Sequence, residues 1–96
     1  MDCRRLLSLN RRRILDTAAR YGASNVRVFG SAARDDAEPS SDIDLLVQMD
    51  RGRTMLDLVG LWQDLEELLG CKVDVVTEGG ISPYLRRQIL DGAVAL

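Results

Sequence analysis

Residues 29–47 read Phe-Gly-Ser-Ala-Ala-Arg-Asp-Asp-Ala-Glu-Pro-Ser-Ser-Asp-Ile-Asp-Leu-Leu-Val, and this stretch decides the fold. Its end, Ile43 to about Met49, is a short apolar run with a strand's composition. Strand side chains alternate, so Asp42 and Asp44 project from one face while Ile43, Leu45 and Val47 point into a core. Its beginning follows Asn25-Val-Arg-Val-Phe29, an alternating segment that runs into Gly30-Ser31 and reads as a strand entering a tight turn. Ser31 to Arg34 can open a brief helix, and Asp35 to Ser41, with Pro39 and two serines, has loop chemistry.

Outward from this stretch the chain alternates. Upstream, Ile14, Leu15 and Ala18 have helical spacing within Leu9 to Tyr21, with Gly22 as a stop. Downstream, Met55, Leu58, Leu61, Trp62, Leu65, Leu68 and Leu69 mark a helix over Thr54–Leu69 that ends at Gly70, with Trp62 on its core stripe. Lys72 to Val76 is a third strand and Glu78-Gly-Gly80 a loop. Ser82-Pro83 supplies an N-cap and first helical residue for a last helix to about Leu90. The predicted class is α+β with α/β-type alternation: three short strands in one small sheet, flanked by helices and covered mainly on one face. Residues 1–96 are expected to form a single domain, since 96 residues are too few for two cores.

Composition narrows the chemistry. Hydrophobic residues at 46% and charged residues at 29% are those of a folded domain. A net charge of −2 disfavours sequence-independent nucleic-acid binding. The absence of histidine removes His-based acid–base catalysis, Ser-His-Asp triads and zinc-finger ligation. Cys3 and Cys71 match no metal or redox spacing, and no apolar run approaches a membrane span, so a cytoplasmic protein without membrane association is expected. Arg4, Arg5 and Arg11 to Arg13 form a basic cluster without interleaved aromatics, which reads more readily as a solvated helix face than as an RNA contact. An apolar surplus on the Trp62 helix or the Tyr84 helix can equally be core or an interface with a second protein.

The acidic positions carry the chemistry. Two ionised carboxylates on one strand face repel unless a cation or donors lie between them, so Asp42 and Asp44 suit a hard divalent ion with oxygen ligands, for which Mg²⁺ fits best. Asp74, between Val73 and Val75, leaves the core face in the same way; if its strand lies beside the second, three carboxylates meet. Taken singly, each aspartate is equally an Asx-turn or a surface residue. Gly30-Ser31 before a helix start adds backbone N–H groups and a hydroxyl that favour phosphate. Arg34 either neutralises phosphate charge or is simply solvated.

These residues resemble a known family. Gly30-Ser31, ten residues, then Asp42-Ile43-Asp44 is similar to the signature of the DNA polymerase β-like nucleotidyltransferase superfamily, and the run 29–47 resembles its minimal nucleotidyltransferase branch. Asp74 within Lys72-Val-Asp-Val-Val-Thr-Glu78 matches that branch's third acidic position, and Ile81 to Leu90 resembles its terminal helix. The resemblance implies a polymerase β-like fold with two Mg²⁺ ions held by Asp42, Asp44 and Asp74, and ATP as nucleotide donor. It also implies Gly30 and Ser31 at the β/γ-phosphates, where Arg34 either joins them or is solvated, with Asp74 helping to deprotonate the attacking hydroxyl. It further implies a helical HEPN-type toxin as partner, to whose tyrosine AMP is transferred, making this chain the antitoxin. Two alternatives remain at this level: a non-catalytic protein-binding antidote, and the catalytic subunit of a two-chain enzyme acting on a small molecule or nucleic acid.

Overall fold

A computed structural model describes residues 3–30 and 43–96, with side-chain burial from residue 5 onward. Four helices, a 3₁₀ turn and four strands are present among them: α1 (Cys3–Leu9), α2 (Arg11–Arg20), β1 (Ala23–Phe29), β2 (Ile43–Met49), α3 (Met55–Leu69), β3 (Val73–Thr77), the 3₁₀ turn Glu78–Gly80, α4 (Pro83–Gly92) and β4 (Val94–Ala95). The sheet order is β3-β2-β1-β4. β1 runs antiparallel to both β2 and β4, whereas β2 and β3 are parallel and joined by the α3 crossover. This is the small mixed sheet with flanking helices that the sequence predicts.

α3 shows how the chain encodes its elements. Thr54 Oγ1 accepts from Leu56 N at 3.2 Å and Asp57 Oδ2 accepts from Thr54 N at 3.0 Å, a reciprocal cap that satisfies first-turn donors. Gly70 ends the helix with φ +66°, where a Cβ would be strained. Leu61, Leu65 and Leu69, four apart, are buried against Ile14 and Ala18 of α2 and the inner sheet residues Val26, Val28, Ile43, Leu45, Val47, Val73 and Val75. Trp62 packs against this core half-buried, as its place on the stripe implies, although its indole N–H is buried with no acceptor among the described residues. The Tyr21 phenol, at the end of α2, donates to Asp64 Oδ2 at 2.6 Å and ties α2 to α3. Its ring lies where a side chain at Gly60 would be.

Three expectations are corrected. The helix predicted over Leu9 to Tyr21 is α2, which starts at Arg11, and a helix that the sequence reading left out, α1, precedes it. Asn10 separates the two, its Nδ2 donating to the Leu6 carbonyl at 2.9 Å, and α1 contributes Leu7 to the core. The first strand begins at Ala23 rather than Asn25, because Asn25 adopts φ +51° at a bulge between Ser24 and Arg27. The extra residue lets both Ala23 and Val26 face the core, which simple alternation forbids. A fourth strand, β4, pairs Arg27 with Ala95 and Val28 with Val94; two residues are too few to show a period. The brief helix expected from Ser31 lies outside the described residues.

Candidate active site

The outer face of the sheet is set by the inner one. Ile43 faces Val73 and Leu45 faces Val75 across the parallel β2/β3 pair, all four buried, so the residues between them must point the other way. Those residues are Asp44 and Asp74, which are direct register partners. Neighbouring strands stand about 4.8 Å apart, so the two carboxylates share one patch of one face. Asp44 is half-buried and Asp74 exposed. On the other side of β2, Phe29 is the register partner of Asp44, which makes one row, Phe29–Asp44–Asp74, across three strands.

Gly30 closes this row. It leaves β1 with φ +73°, and a Cβ built there would collide with Asp44 Oδ2. Glycine is required twice over, by the left-handed backbone and by the carboxylate against it. The turn out of β1 and the acidic strand β2 are therefore in van der Waals contact at the position where the sequence places a phosphate-favouring turn beside carboxylates.

Of the residues singled out in the sequence, the structure brings together Gly30, Asp44 and Asp74. Ser31, Arg34 and Asp42 lie outside the described residues. Among the described residues no group of three or more Asp, Glu, Cys or His side chains is placed to hold a metal. The in-register pair supplies two carboxylates, a hard, anionic oxygen donor set that suits a hard cation and not a soft one.

Sequence reasoning missed the second wall of this region. α4 lies over the outer face near β1 and leaves a crevice of about 200 Å³ lined by Phe29, Gly30, Leu85, Gln88, Ile89 and Gly92. Below it, Arg27 Nη2 stands 2.7 Å from Glu78 Oε1. The pair is close in distance but poorly aligned, so Nη2 remains buried without a well-directed acceptor, while Arg27 Nε donates to the Asn25 carbonyl at 3.0 Å. The sequence offered only a possible apolar surplus on the Tyr84 helix, whereas in the structure β4, directly after α4, pairs with β1 and brings the end of the helix to it.

Carboxylates paired across a small mixed sheet, beside a glycine turn, define a class of protein that handles phosphoryl or nucleotidyl groups, for which charge neutralisation and positioning do most of the chemistry. The nucleotidyltransferase domain family matches residues 11–96. A Methanocaldococcus jannaschii protein, provisionally named a protein adenylyltransferase, is 43% identical over 84 residues, covering 88% of this chain and 90% of that one. A solved structure, provisionally named a minimal nucleotidyltransferase, superposes with a TM-score of 0.90 at 49% identity, covering 100% of this chain and 97% of that one. A toxin–antitoxin crystal structure with AMP-PNP shares the fold, with a TM-score of 0.77 at 23% identity over 90% of this chain and 71% of that one. The chain belongs to the nucleotidyltransferase domain family, in its minimal branch, and is a nucleotidyltransferase enzyme.

Proposed function

We propose that the protein is a Mg²⁺-dependent adenylyltransferase that transfers AMP from ATP to a tyrosine hydroxyl of a HEPN-type toxin, and thereby acts as its antitoxin in the cytoplasm. The observation that carries this reading is the register pairing of Asp44 with Asp74, with Gly30 packed on Asp44. Support for a protein acceptor comes from the adenylyltransferase name of the M. jannaschii relative, and for a toxin partner from the toxin–antitoxin fold neighbour. Tyr84, 95% exposed on α4, and Leu56, 83% exposed on α3, are apolar surface of the kind a partner protein covers.

In this reading Asp42, Asp44 and Asp74 hold the metal. Bound Mg²⁺, as two ions, supplies charge neutralisation on the phosphates and lowers the cost of bringing an anionic donor to an acidic face. Gly30 keeps the backbone low so that the triphosphate can approach Asp44, and Ser31 and Arg34 extend the phosphate contacts. Asp74, the more exposed carboxylate, takes up the proton of the acceptor hydroxyl as the oxygen attacks the α-phosphorus and pyrophosphate leaves.

The test is incubation of the purified protein with a HEPN protein and ATP, with Mg²⁺ or with chelator, followed by mass spectrometry. AMP-sized mass gains on a tyrosine, dependent on Mg²⁺ and reached at substoichiometric enzyme, are expected. Neutralisation of the toxin that needs equimolar protein, proceeds without ATP and survives Asp74→Ala would replace this reading with that of a steric antidote.

A further inference from the structure

We propose that the crevice between β1 and α4 binds the heterocyclic base of the donor nucleotide, and that Gln88 selects adenine over guanine there. The inference rests on the reading of Gly30, Asp44 and Asp74 as the phosphate end of the site.

Four features carry it. The crevice walls, Phe29, Leu85 and Ile89, are apolar, and Leu85 is 50% exposed. At about 200 Å³ it is smaller than the several hundred Å³ of pockets that enclose whole ligands, so it suits one flat ring rather than a complete nucleotide. Gly30 belongs both to this crevice and to the contact with Asp44, so a ring held here has its ribose and phosphates directed at the carboxylate row. Gln88 contributes the crevice's side-chain amide, one donor and one acceptor side by side. That pattern complements the amino group and ring nitrogen of adenine, whereas guanine presents two adjacent acceptors on its O6/N7 edge and calls for two donors.

The crevice is also held open. α4 is fastened at its far end by β4, which pairs with β1 through Arg27 and Val28 and is continued by Leu96 N donating to the Val26 carbonyl at 3.1 Å. At its start Arg86 Nη1 reaches the Glu78 carbonyl at 3.5 Å. Gly92 stands at the crevice wall, and a Cβ there meets nothing within 4 Å, so a side chain can be added without disturbing the packing.

Calorimetry of the full chain with Mg²⁺ and three probes, ATP, GTP and inorganic tripolyphosphate, tests the proposal in the wild type, Gly92→Leu and Gln88→Ala. Gly92→Leu is expected to weaken ATP about five- to hundredfold, the range of one lost base stack, and to leave tripolyphosphate unchanged. Gln88→Ala is expected to reduce the preference for ATP over GTP about fivefold or more. Chemical-shift changes at the Ile89 methyls on titration with adenosine provide a readout that needs no variant. Tripolyphosphate binding retained while Gly92→Leu holds ATP as tightly as wild type, or adenosine that leaves Ile89 unmoved, would overturn the crevice assignment and spare the phosphate site. Wild-type protein that binds neither ATP nor tripolyphosphate would overturn both.

Discussion

Gly30→Ala perturbs the site at its tightest point, and its cost has two separable parts. The first is backbone: placing Ala at φ +73° costs about 1–2 kcal/mol. The second is the new methyl against Asp44 Oδ2, which the carboxylate can escape only by leaving its rotamer, at a cost of order 0.5–1.5 kcal/mol. Gly52 isolates the first part, because it has φ +85° and a Cβ there meets nothing within 4 Å. At about 4–8 °C per kcal/mol for a chain of this size, Gly52→Ala is expected to lower Tm by roughly 4–16 °C, and Gly30→Ala by roughly 6–28 °C, the larger of the two losses. The displaced carboxylate should also cost AMP transfer about a hundredfold, the penalty of a misplacement near 1 Å. Thermal melts and labelled-AMP transfer measure both. In an Asp44→Ala background, where the colliding group is gone, Gly30→Ala should cost no more stability than Gly52→Ala does in the wild type. Equal Tm losses for the two single glycine variants, together with full transfer activity in Gly30→Ala, would refute the close contact.

Asp74→Asn keeps the size of an exposed side chain and removes one of two neighbouring negative charges, so it should abolish transfer while Tm stays the same or rises slightly; a variant that unfolds would make Asp74 structural. Thr54→Ala removes the acceptor for Leu56 N at the start of α3 and should cost about 1 kcal/mol in chemical denaturation, with transfer unaffected at temperatures where the fold persists. The Tyr21 phenol has its pKa raised above the ordinary 10.0, chiefly by donating to Asp64 and secondarily by burial. The raised value means that the bond's stabilisation is present below the unfolded pKa and is lost as pH rises through the folded one. Melts at neutral and strongly alkaline pH should therefore show a lower Tm for Tyr21→Phe at neutrality and a shrinking difference from wild type as the pH climbs past 10.0.

The parts of the fold that could be read from the sequence are those whose signal is local. α3 announces itself because Thr54, the leucine repeat and Gly70 agree on start, face and end, and β2 and β3 because buried aliphatic residues bracket an aspartate. Asn25 hid its consequence, since a single residue in the left-handed region shifts strand phase, and α1 went unread because its seven residues contribute one core side chain, Leu7, and show no helical period. For the site, the alternation that puts Asp44 and Asp74 on outward faces was legible, but their adjacency depended on β3 lying beside β2, which is a property of the crossover and not of either strand. The crevice under α4 was illegible because the end of that helix is brought to β1 by the pairing of Val94 and Ala95, a contact between residues far apart in sequence with no pattern of their own.

The row Phe29–Asp44–Asp74 is drawn from three separate segments of chain, and the last two are joined only through a full helix. No partly folded chain, with β3 still unpaired, can offer both carboxylates to one ligand. Anything that bridges them therefore binds the native state alone and acts as a thermodynamic brace, adding about 2.7 kcal/mol at a free concentration one hundred times its Kd. For a chain of 96 residues that is a sizeable share of the whole margin between folded and unfolded. Such a ligand would govern how much of the enzyme survives proteolysis as well as whether it reacts, so the cell's supply of it would set the protein's lifetime and its activity together.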